Sequence, residues 1–339
     1  MADVGKGRME GPYELAAVEQ WPNFGITERH IVVQPGKRRP CDNYRASWVN
    51  RRTAVRHKVK LPEVDTTLDV VRAVWRAMGS APPLVLWKRD HRDAYRQVPL
   101  RKEHRPYTTV VLRDPHDGRH KAFTHTVFPF GSVSSVTAYL RISMLLCHVA
   151  RTVFGCVMQS YLDDFYVVEP EETAASSYEI FGELNRLVGV EIKEEKDQPP
   201  RGENTVLGVK VDVGTGGVVV CKLDEERRTR LMEAVAAALR DGFPQQAEGR
   251  KLAGRLSFAC SVLQGRCGRG LVRTLIRESM GVGGQNREDV RAALRGMFRM
   301  LGTAAMTGAG RRVTWEEEKK GLGSPKHVVV YSDATGEGT

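Results

Sequence analysis

Between Val157 and Val168 the chain reads Val-Met-Gln-Ser-Tyr-Leu-Asp-Asp-Phe-Tyr-Val-Val, with apolar and β-branched residues on both sides of two adjacent carboxylates. The pattern predicts two short strands of a tight hairpin, with Leu162, Asp163 and Asp164 at its tip. No Gly, Asn or Pro eases that turn, so one of its residues is expected in a sparsely populated backbone conformation. Strain of this kind persists mainly where the geometry is used. Adjacent carboxylates repel, and Mg²⁺ suits them because it takes oxygen ligands from one or two carboxylates plus phosphate. An Asp-Asp pair alone, however, is more often a solvated hairpin tip.

A second acidic site shifts that balance. Leu84-Val-Leu-Trp-Lys-Arg-Asp90 reads as a buried strand ending on an acid, 73 residues before Asp163. Taken together, Asp90-x-x-Asp93-Ala94-Tyr95 and Tyr161-Leu162-Asp163-Asp164 resemble the two metal-binding motifs of a reverse transcriptase palm. The resemblance covers most of the chain and is nearest to the DIRS-type retroelements, whose polymerase runs into an RNase H domain. It implies an α+β right-hand polymerase fold with palm, fingers and helical thumb. It also implies an RNA-directed DNA polymerase that transfers deoxynucleotides (dNTPs) to a primer on an RNA or DNA template. Two Mg²⁺ ions, with Mn²⁺ as a substitute, would be held by Asp90, Asp163 and Asp164.

Composition agrees with nucleic acid as the partner. The net charge is +11 and the excess is clustered. From Lys37 to Lys60 there are nine Lys or Arg against the single acid Asp42, and from Gly249 to Arg277 seven against none. Two basic blocks of this kind favour phosphate contact over merely solvated faces. The six cysteines show no C-x-x-C pairing, which suits buried free thiols in a reducing compartment, cytoplasmic or nuclear. No apolar run looks membrane-spanning, and the first residues lack the apolar core of a signal peptide, so no membrane partner is expected.

Four divisions are expected along the chain. Residues 1–30 read as an irregular N-terminal segment, 31–220 as fingers and palm, 221–305 as thumb, and 326–339 as the truncated start of an RNase H-like domain. Val64 to Met78 is an amphipathic helix capped by Asp65 or Thr66 and ended by Gly79; Trp75 on its apolar face is core rather than a base-stacking platform. Phe128-Pro-Phe-Gly precedes a long helix to Phe154, with Ser134 or Ser135 as its N-cap. Glu171 to Val188 is a helix stopped by Gly189, and a strand with a charged turn follows to Gln198. After Leu223 four helices follow, the first capped by Asp224.

The resemblance assigns further residues. Lys37 and Arg39, with Arg38 close behind, would grip the incoming triphosphate. Asp93, Ala94, Tyr95, Phe130 and Gly131 would line the nucleotide site, with Tyr95 beneath the sugar excluding a 2′-hydroxyl. That ring argues against an RNA-templated RNA polymerase. Lys196 matches the proposed general acid for pyrophosphate departure. Leu207 and Gly208 match the primer grip, Tyr161 adjoins the primer, and Arg250, Lys251, Arg255, Arg266 and Arg269 would follow the duplex backbone. Asp333 would be the leading acid of the RNase H-like strand, whose remaining acids are absent, so RNase H activity is not expected. Arg89 and His91 depart from the family pattern, bringing positive charge beside Asp90. With the truncated RNase H-like segment, they motivate an alternative: an inactive or co-opted fragment that binds nucleic acid without polymerising.

Overall fold

The acid-bearing hairpin sets the strand pattern around it. Met158–Tyr161 and Asp164–Pro170 pair antiparallel with Tyr161 opposite Asp164, leaving a two-residue turn of Leu162 and Asp163. Leu162 takes φ 58°, so the expected strain falls on it. A leucine in the left-handed region costs roughly 1–2 kcal/mol, and the turn is braced by the Ser143 hydroxyl, which donates to the Leu162 carbonyl at 2.9 Å.

The computed structural model describes residues 2–34, 36–55, 60–114, 117–214, 216–244, 246–262, 267–281, 286–303 and 311–322. In order the elements are α1 (Ala2–Gly5), β1 (Met9–Glu14), α2 (Leu15–Val18), β2 (Ile26–Gln34), β3 (Lys37–Asp42), α3 (Val49–Arg52), α4 (Val64–Met78), β4 (Leu84–Asp90), β5 (Thr109–Arg113) and β6 (His120–His125). Then come α5 (Val133–Phe154), β7 (Met158–Tyr161), β8 (Asp164–Pro170), α6 (Glu171–Leu187), β9 (Gln198–Arg201), β10 (Glu203–Val206), β11 (Val209–Asp212) and β12 (Val218–Leu223). The remaining elements are α7 (Glu225–Asp241), α8 (Gln246–Ser261), α9 (Arg269–Ser279), α10 (Arg287–Gly302), β13 (Arg311–Thr314) and α11 (Trp315–Leu322).

One sheet has the order β7-β8-β4-β9. Its apolar run Leu84 to Trp87 is buried throughout, as expected of an inner strand, whereas β9 carries Pro199 and Pro200 at the edge, where a missing N–H is tolerated. The chain divides into two compact units. The first comprises Met1–Pro62, Lys88–Val167 and Ala175–Pro199 and contains a five-stranded sheet of order β1-β6-β5-β2-β3. The segment expected to be irregular is therefore not so over its described residues 2–30: β1 pairs antiparallel with β6, Met9 opposite His125. Val4 and Met9 pack on Val110 and Phe123. Elements this short carry too little periodicity to be read locally, and tertiary pairing creates them.

The second unit comprises Glu63–Trp87, Val168–Ala174 and Pro200–Thr339. Its sheet has the order β10-β11-β12-β13, and α7 to α10 bury Leu231, Val235, Leu256, Leu275, Leu294 and Met297. Asp224 caps α7, its carboxylate accepting from Arg227 N–H at 3.2 Å. Trp75 of α4 is buried edge-on against Trp315, ring centroids 6.3 Å apart.

Several boundaries differ from expectation. The N-cap of α4 is Glu63, whose N–H donates to the Thr66 hydroxyl at 3.0 Å. The N-cap of α5 is Ser132, and Asn50 takes the free Val133 N–H on its side-chain oxygen at 2.9 Å. The strand expected after Val190 shrinks to a single bridge, Ile192 with His91, before the 3₁₀ turn Glu194–Lys196. By length and composition α5 is apolar enough to cross a membrane, contrary to the reading of its sequence, yet its Tyr139 and Ser143 are buried and hydrogen-bonded beside the acid-bearing strands. The expected RNase H-like strand with Asp333, and also Arg266, lie outside the described residues.

Trp75→Ala should cost about 3–5 kcal/mol of stability. Guanidinium unfolding should show this as a lower midpoint at an unchanged m-value.

Candidate active site

Asp90 ends β4 and Asp163 stands in the β7–β8 turn, and a backbone bond fixes their adjacency: His91 N–H donates to the Asp163 carbonyl at 3.0 Å. Both acids line a cleft of about 570 Å³ together with Asp93, Ala94, Tyr95 and Phe130. Asp90 is 2% exposed and accepts a hydrogen bond from the Lys196 ammonium. Burial, with Asp90 and Asp164 nearby, pushes the Asp163 carboxyl above its ordinary range. The hydrogen bond to Asp90 in turn holds the Lys196 ammonium above its usual value. Asp164 does not line this cleft; its carboxylate pairs with Lys88 at 2.9 Å.

The nucleotide-site candidates largely converge. Tyr95 lies in the 3₁₀ turn Ala94–Gln97, with its ring edge-on to Phe130 at 5.0 Å and Tyr139 at 5.4 Å. Asp93 and Ala94 hold positive φ, 52° and 43°, and Arg8 secures Asp93 at 2.6 Å. Gly131 has φ 92°, and a Cβ there would stand 2.5 Å from the Asp42 carbonyl, so only glycine fits this turn. From the basic run, Arg38 lines the cleft. Lys37 and Arg39 lie in β3, and their side chains fall outside what the structure describes.

Neither family departure adds charge to the acids. Arg89 stacks on Tyr178 at 3.7 Å and approaches Asp197 at 3.4 Å. His91 is buried beside Phe165, ring centroids 4.4 Å apart, with Nδ1 2.7 Å from the Tyr139 hydroxyl. Burial lowers its pKa to about 4, so it is neutral near pH 7.

A buried network behind the cleft escaped the sequence reading. A guanidinium can only donate, so His125 Nδ1 accepts from Arg96 at 2.8 Å, and Nε2–H then donates to Asp42 at 2.9 Å. Asp42 also receives Arg29 in two hydrogen bonds, 2.7 and 3.0 Å. Arg96, one residue past Tyr95, was the available signal. Asp3 and Arg8 also line the cleft and come from the segment expected to be irregular.

In the second unit, Leu207 and Gly208 form the β10–β11 turn, both at positive φ. Arg227 donates to the Gly208 carbonyl at 3.0 Å and lies over Phe258 at 5.1 Å. Arg227, Arg230, Lys251, Gly254, Arg255 and Phe258 line one groove. Residues 251, 254, 255 and 258 share a face of α8 by helical spacing. Arg250 is exposed and does not line that groove. Tyr161 is exposed at the end of β7.

Among the described residues no group of three His, Cys, Asp or Glu is arranged to hold a metal ion. Asp90 and Asp163 nevertheless fit a hard divalent cation as a pair. Both donors are carboxylate oxygens, and a cation would offset the burial and the carboxylate repulsion that together raise Asp163.

Residues 56–211 match the reverse transcriptase (RNA-dependent DNA polymerase) family. That stretch of the chain is similar to a reverse transcriptase domain. A foamy viral protease-reverse transcriptase (dRH) solved with double-stranded DNA aligns over 88% of this chain and 46% of its own, at TM-score 0.61 and 16% identity. A foamy viral protease-reverse transcriptase with an RNA/DNA hybrid aligns over 91% and 36%, at 0.59 and 15%; another, with double-stranded DNA, over 88% and 54%, at 0.59 and 16%. The chain thus spans about half or less of these proteins. The shared feature is the fold, an α+β right-hand polymerase fold with palm, fingers and helical thumb. No curated protein sequence matches the chain.

Because the folded His91 pKa is depressed, its contribution to stability is present above pH 6.5 and is lost as pH falls toward 4. Between pH 7 and 4.5 the loss should be roughly 2–3 kcal/mol. His91→Phe should show that much less acid destabilisation over the same interval when unfolding midpoints are compared at the two pH values.

Proposed function

We propose that the chain is an RNA-directed DNA polymerase that extends a primer with deoxynucleotides. The observation that carries this reading is the convergence of Asp90, Asp163, Tyr95 and Phe130 on one cleft within the stretch similar to a reverse transcriptase domain. Asp90 and Asp163 would hold Mg²⁺, or Mn²⁺ in its place, with Asp164 joining them once released from Lys88. Two such ions, when bound, activate the primer hydroxyl and stabilise the leaving pyrophosphate.

The chain's own residues do the rest. Tyr95, backed by Phe130 and Tyr139, offers a rigid wall against a 2′-hydroxyl. Lys196, kept protonated by Asp90, has a proton to give to the departing pyrophosphate. Residues 31–220 serve as fingers and palm and 221–305 as thumb, with the α7–α8 groove on the duplex backbone. Foamy viral relatives are solved with double-stranded DNA and with an RNA/DNA hybrid, which supports a primer–template duplex of either kind here. The six free cysteines suit a reducing interior, cytoplasmic or nuclear. A DIRS-type origin is part of the same proposal.

A second reading has one observation in its favour. Lys196 and Lys88 already neutralise Asp90 and Asp164, as in a domain that binds nucleic acid without polymerising. Primer extension on an RNA template decides between the two. Asp163→Asn should abolish extension while leaving duplex affinity nearly intact, and Tyr95→Ala should raise ribonucleotide over deoxynucleotide incorporation. Extension that persists in Asp163→Asn removes the assignment of that acid.

Neutralising Arg227, Lys251 and Arg255 should weaken duplex binding similarly across sequences. Every phosphate that these side chains no longer neutralise should flatten the log–log salt slope by about 0.9 for a B-form duplex. A triple variant with the wild-type slope would take this groove off the binding surface.

A further inference from the structure

The cleft is richer in positive charge than its acids require. Arg8, Arg29, Arg38, Arg96, Lys193 and Lys196 all line it. Three of them are matched by hydrogen-bonded carboxylates: Arg8 by Asp93, Arg29 by Asp42 and Lys196 by Asp90. Arg96 is different. Its side chain is 5% exposed, and its Nη1 is spent on the neutral His125 ring. Its buried Nη2 has no hydrogen bond, although the Asp3 carboxylate stands 3.1 Å away as an ion pair. Asp3 also lies 3.8 Å from Arg29.

Asp3 therefore neutralises this corner by charge but meets Arg96 in poor hydrogen-bonding geometry. A buried guanidinium edge is a strong seat for an oxyanion that offers correctly placed oxygens. Phosphate presents more acceptors than a single carboxylate, over a wider angle. Arg29, already committed to Asp42, contributes its field rather than fresh donors. Asp3 rides on α1, a four-residue helix too short to be stable by itself, so its hold on the corner depends on side-chain contacts that a better ligand can replace.

We propose that Arg96, with Arg29 beside it, forms a phosphate-binding seat in this cleft, and that the Asp3 carboxylate fills the seat until a polyphosphate displaces it. The seat stands apart from the Asp90–Asp163 pair. Equating the polyphosphate with the tail of an incoming nucleotide rests on the polymerase reading above, whereas the seat itself does not.

Isothermal titration of the full chain in chelator-treated, metal-free buffer tests this, with inorganic phosphate, pyrophosphate, tripolyphosphate and a deoxynucleoside triphosphate as probes. Asp3→Ala, which removes a half-buried carboxylate and keeps Arg96, His125, Asp42 and Arg29, should tighten tripolyphosphate binding roughly fivefold or more. Asp3→Glu should stay near wild type, and adding Arg96→Gln to Asp3→Ala should erase the gain. A gain shared by the deoxynucleoside triphosphate assigns the seat to a nucleotide tail; a gain confined to inorganic anions assigns it to a free phosphate species, and either supports the seat. Equal affinities of wild type and Asp3→Ala for all four probes overturn it, even if Arg96→Gln fails to fold. Primer extension with the same preparations separates the two claims. Asp3-dependent anion binding without extension keeps the seat and sinks the polymerase, whereas extension with Asp3-independent binding does the reverse.

Discussion

Two carboxylates that repel each other are held at one place by backbone. The His91 N–H bond to the Asp163 carbonyl ties the end of β4 to the β7–β8 turn, and Leu162 accepts a left-handed conformation to keep that turn two residues long. Around this arrangement the protein spends its polar groups on counter-charge and bracing. Lys196 meets Asp90, Lys88 meets Asp164, and the Ser143 hydroxyl supports Leu162. Carboxylates gathered this closely are costly unless something of opposite sign is present. The surrounding lysines and arginines are best understood as answers to that constraint.

What was legible in the sequence follows the length of the signal. The hairpin was readable because apolar residues flank the acids on both sides and no turn-former stands between them. Helices α4, α7 and α10 were readable because their apolar stripes run for four turns or more. The cleft partners Asp90, Tyr95 and Phe130 were reachable through resemblance, because short motifs preserve their spacing even where identity is low.

The parts that stayed hidden are those made by pairing across long sequence distances. No local rule connects Met9 with His125, or Asp42 with an imidazole 83 residues later. The charge of His91 was misjudged because sequence shows a titratable ring without its burial among Tyr139, Phe165 and Phe181. The α5 cap was missed because its capping group comes from elsewhere in the fold. Asn50 serves α5 from 83 residues upstream, and no pattern within the helix announces it.

The short elements β13 and α11 lie beyond the residues expected to form the thumb, yet they complete the second unit's packing. β13 covers the outer side of β12, Trp315 lies against Trp75, and Glu318 receives Arg76. Cutting the chain at the end of α10 would turn β12 into an open strand edge bearing Val218, Val219 and Val220 and would leave an indole in water. Open edges of that kind recruit other chains. Anyone trimming this chain to a minimal domain by sequence boundaries would then see poor solubility and attribute it to the helices α7 to α10, when the cause is the loss of a four-residue strand.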